Sequence, residues 1–189
     1  PINTNSFLRS PHVLCQSTIN TALRVQGTAQ ITMSAAYRDG LVEVQDAGAQ
    51  AVAQICDAQA FETVMDFCAG AGGKALALTA QMNNKGRLLV HDAIKTRMRH
   101  LPERVTRAGA EIIETISPEH LRDFEAQCDL VVVDVPCSGA GRWRRAPETK
   151  WRLTAEALTD LHKLQAEIVQ TAAALVRPNG RLAYITCSL

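Results

Sequence analysis

From Asp46 onward, short apolar runs alternate with longer amphipathic stretches. The runs Val64 to Cys68, Arg87 to Asp92, Ile112 to Ile116, Leu130 to Asp134 and Leu182 to Thr186 read as short buried strands. Helices are predicted between them, over about 73–83, 94–108, 118–126 and 154–176. The last is the clearest, with Leu158, Leu161, Leu164, Ile168, Ala172 and Leu175 at three- and four-residue spacing and a turn signal at Pro178, Asn179 and Gly180. A further helix starts at Asp46, which can cap a face carrying Ala49, Val52, Ala53 and Cys56. Strand–helix–strand repetition of this kind requires a mostly parallel sheet with helices on both faces, so the fold class is α/β. Residues 1–45 are rich in Thr, Ser, Asn and Gln; their weak periodicity suggests a helix over Val13 to Arg24 and strands near Ile31 and Leu41 to Val44.

Composition narrows the picture only modestly. The 189 residues are 47% hydrophobic and 21% charged, which excludes bulk disorder. Lys and Arg total 20 against 19 Asp and Glu, so the chain is no polybasic or polyacidic binder overall. No apolar run is long enough to span a membrane, and the first residues are no signal peptide. The six cysteines show no Cys-x-x-Cys spacing, so free thiols in a reducing cytoplasm are expected rather than disulfides or a metal site.

The first strand of the alternation runs into Cys68, Ala69, Gly70, Ala71, Gly72, Gly73 and Lys74, then into a helix. A glycine-rich turn at that place lets backbone approach a ligand and aims helix N-terminal amides at it. Asp92 closes the next strand, where a carboxylate can accept ribose hydroxyls. The loop alone does not separate NAD from other adenosine ligands, and the plainer alternative is a tight turn beside a surface aspartate.

Two cysteines then stand at strand ends: Cys137 after Asp134, Val135 and Pro136, and Cys187 after Thr186. Each is followed by serine. A single cysteine at such a place is usually a small buried hydrophobe. Two of them on the rim that carries the nucleotide loop point to thiol chemistry.

The stretches Asp66 to Lys74, Asp134 to Gly139 and Thr186 to Ser188 together resemble the RNA cytosine-5 methyltransferase family, the Fmu/Sun/Nop type. Gly40 to Asp46, Arg145 to Trp151 and Val176 to Leu182 support the resemblance, which covers roughly residues 38–189. It implies a Rossmann-like S-adenosylmethionine-dependent fold and methyl transfer to carbon-5 of cytosine in RNA through a covalent cysteine adduct. Small-subunit (16S) ribosomal RNA is the implied substrate, with transfer RNA as the alternative. In the family's pattern Cys187 attacks carbon-6, Cys137 assists release, and Asp134 holds the cytosine edge or the cofactor. Residues 68–74 and Asp92 would bind S-adenosylmethionine. No membrane or metal partner is implied. Ala71 departs from the family's usual proline, and Ser117 and Pro118 stand where a cofactor-contacting aspartate is commonly found. The resemblance further implies a catalytic domain over 46–189 that lacks its last strands, preceded by a remnant of an RNA-binding region over 1–45. A catalytically inactive RNA-binding fragment of the same fold is the rival reading, and an NAD-dependent oxidoreductase a more distant one.

Between the two cysteine motifs lies the basic segment Arg142 to Arg152, which carries five positive residues against Glu148 and both tryptophans. Arg142, Trp143, Arg144, Arg145 and Lys150 are the candidate RNA contacts, since cations neutralise phosphates and aromatic rings stack bases. The alternative is a solvated turn with its tryptophans in the core. Arg97, Arg99, Arg104 and Arg107 read as a solvated helix face, and His91, His100, His120 and His162 as packing or surface residues.

Overall fold

The computed structural model describes residues 13–16, 22–25, 30–143 and 146–188. Near the start, β1 (Val13–Gln16) and β2 (Leu23–Val25) pair antiparallel, with Val13 opposite Val25. This replaces the helix expected over Val13 to Arg24. The paired strands carry Val13 and Val25, and the segment has no strong apolar stripe at helical spacing, so a ladder suits it better. Ile31–Met33 is a 3-10 turn leading into α1 (Ala35–Arg38), whose cap Ser34 accepts the Tyr37 N–H at 3.1 Å. Leu41 to Val44 forms no ladder either. Arg107 reaches across to its backbone and donates to the carbonyls of Tyr37 at 2.9 Å and Val42 at 3.4 Å. Both strands expected in this region are therefore absent, their polar groups satisfied by turns and an arginine instead.

The rest follows the predicted alternation. α2 (Ala47–Cys56) starts where Asp46 accepts the Gly48 N–H at 2.8 Å and buries Ala53 and Cys56. There follow β3 (Thr63–Asp66), α3 (Gly73–Gln81), β4 (Arg87–Val90), α4 (Leu101–Ala108), β5 (Ile113–Thr115), β6 (Cys128–Asp134), α5 (Thr149–Arg152), α6 (Ala155–Leu175) and β7 (Val176–Ile185). β3 to β7 form one parallel sheet in the order β5-β4-β3-β6-β7. Successive side chains alternate between its faces. Val64, Leu88, Leu130 and Val132 meet Ala53, Leu78 and Leu101 on one side. Met65, Leu89, Val131 and Val133 meet Leu121, Ala172 and Leu175 on the other. With both faces covered, the inner strands β3, β4 and β6 can be almost continuously apolar, whereas the outer β5 and β7 keep exposed residues.

Three boundaries differ from expectation. The helix over 94–108 is broken into a 3-10 turn, Lys95–Met98, and α4; Pro102 in the first turn of α4 lacks the N–H that a continuous helix would require. The stretch 118–126 is likewise 3-10, over Pro118–Phe124. β7 begins six residues early, at Val176, and carries the predicted turn as a bulge: Cys128 pairs with Val176, Leu130 with Arg181, and Asn179 between them has φ +63°. In α6 only the C-terminal part is buried, at Ala172 and Leu175; Leu158 and Leu164 stay exposed. No helix among the described residues is long and apolar enough to cross a membrane.

The strand order reverses beside β3: β4 and β5 lie to one side of it, β6 and β7 to the other. Loops leaving the C-terminal ends of β3 and β6 therefore diverge and leave a crevice between them.

Candidate functional site

On the β3 side of the crevice stands the glycine loop. Gly72 caps α3 with φ +80°, and a Cβ there would lie 2.2 Å from Leu101 Cδ1, so only glycine fits. Gly70 has φ +52° and open space where its side chain would be, which leaves room for a ligand against the backbone. Asp92 holds this loop down: its two oxygens accept N–H groups of Gly70 at 3.0 Å and Ile94 at 2.8 Å. It is buried, not the surface aspartate of the plainer reading.

Arg104 was not foreseen here. It donates to the carbonyl of Ala71 in the loop and pairs with Glu43, as does Arg107, whose guanidinium also lies 3.8 Å from the Tyr37 ring. The expected solvated arginine face thus holds for exposed Arg97 and Arg99 but fails for Arg104 and Arg107, which tie residues 37–43 to α4 and the loop. The available signal was Glu43 in an otherwise featureless segment, a carboxylate with no local partner. The histidine reading holds for His91, which packs on Phe67 with ring centroids 5.0 Å apart.

Under the loop the charges are predominantly acidic. Lys74 pairs with Asp134 across the crevice. Asp66, 1% exposed, has no hydrogen-bond partner on either oxygen. Burial, countered only in part by Lys74 and aided by Asp134 and Asp92, pushes the Asp66 carboxyl up to about 7. The same conditions act on Cys68, where burial and then the charges of Asp66, Asp92 and Asp134 push the thiol up to about 12, against a small opposing effect of Arg97. Cys68 is therefore a protonated thiol at neutral pH.

The β6–β7 side is built differently. Asp134 pairs in register with Ile185, and Val135 N–H donates to the Ile185 carbonyl at 3.1 Å, so the two strands end level. Cys137 and Cys187, fifty residues apart in sequence, thereby meet with their sulfurs 3.0 Å apart. The hydroxyls of Ser138 and Ser188 stand 2.8 Å from each other beside them. Gly141 donates its N–H to the Cys187 carbonyl at 2.7 Å; a Cβ at Gly141 would sit 2.8 Å from that oxygen. Burial raises the Cys137 thiol, but hydrogen bonding from Cys187, Thr186, the Gly139 backbone and Ser188 outweighs it and lowers the thiol to about 7. Cys137 is consequently half thiolate near neutrality, with the Cys187 sulfur beside it.

In the basic segment, Arg144 and Arg145 and the side chain of Arg142 lie outside the described residues. The two tryptophans divide between the alternatives: Trp151 is 82% exposed, whereas Trp143 is half-buried. The Lys150 ammonium stands 5.5 Å from the Trp143 ring and 5.4 Å from the Trp151 ring. An exposed indole and a cation are thus presented side by side, within the same loop region that follows Cys137.

The profile of the family described as 16S rRNA methyltransferase RsmB/F matches residues 53–189. A probable ribosomal RNA small subunit methyltransferase B of Synechocystis is 34% identical over 172 residues, covering 88% of this chain and 39% of its own length. A protein of the same description from Bacillus subtilis is 33% identical over 157 residues, covering 81% of this chain and 35% of itself. Among solved structures, the crystal structure of PH0851 superposes with a TM-score of 0.86 at 33% identity, over 94% of this chain and 41% of that one. The chain thus spans about two fifths of the length of these relatives.

Proposed function

The chain belongs to the 16S rRNA methyltransferase RsmB/F family, and on that premise we propose that it transfers a methyl group to carbon-5 of cytosine in RNA, small-subunit ribosomal RNA first among substrates. The paired thiols carry this reading: two cysteines on adjacent strand ends with sulfurs 3.0 Å apart. Carbon-5 of cytosine is a poor nucleophile until a thiolate adds to carbon-6. Cys187 is the attacking thiol. The depressed thiol of Cys137 accepts the Cys187 proton as the bond to carbon-6 forms, and returns as base or proton donor when the methylated base is released. Asp134, fixed by Lys74, stands between the thiols and the glycine loop, placed to accept a hydrogen bond from the cytosine edge.

S-adenosylmethionine supplies the methyl group, and the residues present fit it. Its sulfonium and ammonium are positive; Asp66 has two buried oxygens without partners, and three carboxylates face a single lysine. The same charges repel a pyrophosphate, which argues against an NAD enzyme. Cys68, Ala69, Gly70, Ala71, Gly72, Gly73 and Lys74 form the cradle, and Asp92 offers its remaining lone pairs to ribose. Trp143, Lys150 and the arginines 142, 144 and 145 would contact RNA. Residues 46–189 would be the catalytic domain, working in the cytoplasm.

Cys187→Ser should abolish transfer of tritiated methyl to RNA, whereas Cys137→Ser should accumulate a covalent protein–RNA adduct that survives denaturing electrophoresis. The lowered thiol is Cys137, which favours a second reading in which Cys137 attacks. That reading exchanges the two outcomes. Full methyl transfer with no trapped adduct in either variant would refute the covalent mechanism.

A further inference from the structure

A cleft of about 350 Å³ opens on the far side of the thiols, between α6 and the ends of β6 and β7. Its lining includes Ser138, Trp143, His162, Gln165, Tyr184 and Ser188. The volume lies at the small end of the range for ligand sites, roughly 300–1,000 Å³. The lining brings the rings of Trp143, His162 and Tyr184 together with polar groups, a composition that suits a nucleobase. Gln165 is held in place: its amide donates to the Pro136 carbonyl at 2.8 Å and accepts from the Tyr184 hydroxyl at 3.1 Å. One amide N–H and one carbonyl lone pair are left for a ligand edge. Leu158, exposed on α6, lines this cleft.

The target cytosine cannot be the occupant. It has to lie between the sulfurs and the cofactor cradle, on the side of Asp134, Lys74 and the glycine loop, and none of those residues lines the cleft. The Ser138 and Ser188 hydroxyls, 2.8 Å apart, line the cleft, each next in sequence to one of the thiols. A base flipped toward the thiols leaves its neighbours in the strand nearby and unstacked. Lys150, close to the Trp143 ring, can meet the phosphate that joins them.

We propose that this cleft holds a nucleobase immediately adjacent to the methylated cytosine, so that the enzyme reads a second base beside its target. The proposal rests on the RNA reading of the site. Its test is equilibrium binding of the chain, by fluorescence anisotropy, to a short single-stranded ribo-oligonucleotide with one central cytosine. Companion probes carry an abasic ribose at the 5′ neighbour, at the 3′ neighbour, or at the cytosine itself.

One of the two neighbour-abasic probes should bind about ten-fold more weakly than the intact probe, the loss of one stacked base. Trp143→Ala should weaken the intact probe by a similar factor and the affected abasic probe not at all, because the two changes remove one contact. His162→Ala, on an exposed face, repeats the comparison without disturbing the half-buried indole. Equal affinity for both neighbour-abasic probes and the intact one overturns the proposal, as does a variant whose loss multiplies with that of the abasic probe. Indifference to the central cytosine would instead overturn the cytosine reading itself, and the adjacent-base proposal with it.

Discussion

Two thiols at the same end of the same sheet differ by about five pKa units in what their surroundings impose. Cys68, on the glycine loop, is pushed up to about 12; Cys137, after β6, is lowered to about 7. Burial is the largest single effect on each and raises both thiols. The neighbours then push them apart. Cys68 faces three carboxylates, whereas Cys137 is surrounded by a thiol, two hydroxyls and a backbone N–H. The crevice therefore has an anionic half that suits a cationic ligand and a hydrogen-bonding half that suits a thiolate.

The strongest break of this contrast is catalytic. Cys187→Ser should lower methyl transfer by more than about 1,000-fold, as loss of a covalent nucleophile does, whereas Cys68→Ser should change it far less. Alkylation comes next. At pH 8 iodoacetamide should modify Cys137 at least about a hundred-fold faster than Cys68, with the Cys137 rate at half its maximum near pH 7, read by peptide mass spectrometry. Equal rates would erase the distinction between the halves.

Removing the Lys74 cation has a smaller effect. Lys74→Met leaves Asp134 without its partner and should cost about 2 kcal/mol, the worth of a hydrogen bond to a charged group, seen as a lower urea midpoint. The last effect is a pH slope. The Asp66 carboxyl sits near 7 in the folded chain against 3.8 when exposed, so its contribution is fully present below pH 3.8 and is lost as pH rises toward and through 7. Asp66→Asn should flatten the change in urea midpoint between pH 4 and 7. Cys137 has the opposite sense: its contribution is full above pH 9 and is lost as pH falls through 7.

Legibility differed sharply along the chain. The three inner strands could be read because β3, β4 and β6 are buried on both faces and so must be apolar runs, as Leu88, Leu89 and Val90 show. Boundaries were harder. Pro102 splits a helix that periodicity alone continues, and Asn179 hides a bulge inside a strand that composition reads as a turn. Before Asp46 the pattern was weakest, because Leu41 to Val44 is held by Arg104 and Arg107 through Glu43 rather than by any periodic face. That anchoring is invisible locally, since its partners are about sixty residues away.

The sequence by itself determined the α/β class, the glycine loop, the two cysteine motifs and the family they resemble. Those are local patterns, set by the two-residue period of strands and by turn chemistry. Tertiary structure alone decided that the cysteines meet, because the β6–β7 register brings Asp134 level with Ile185 and the thiols after them into contact. It also decided which thiol is lowered and which raised, for a pKa depends on charges and donors that converge from distant segments. Periodicity specifies which face is buried; it carries no information about what stands across a crevice.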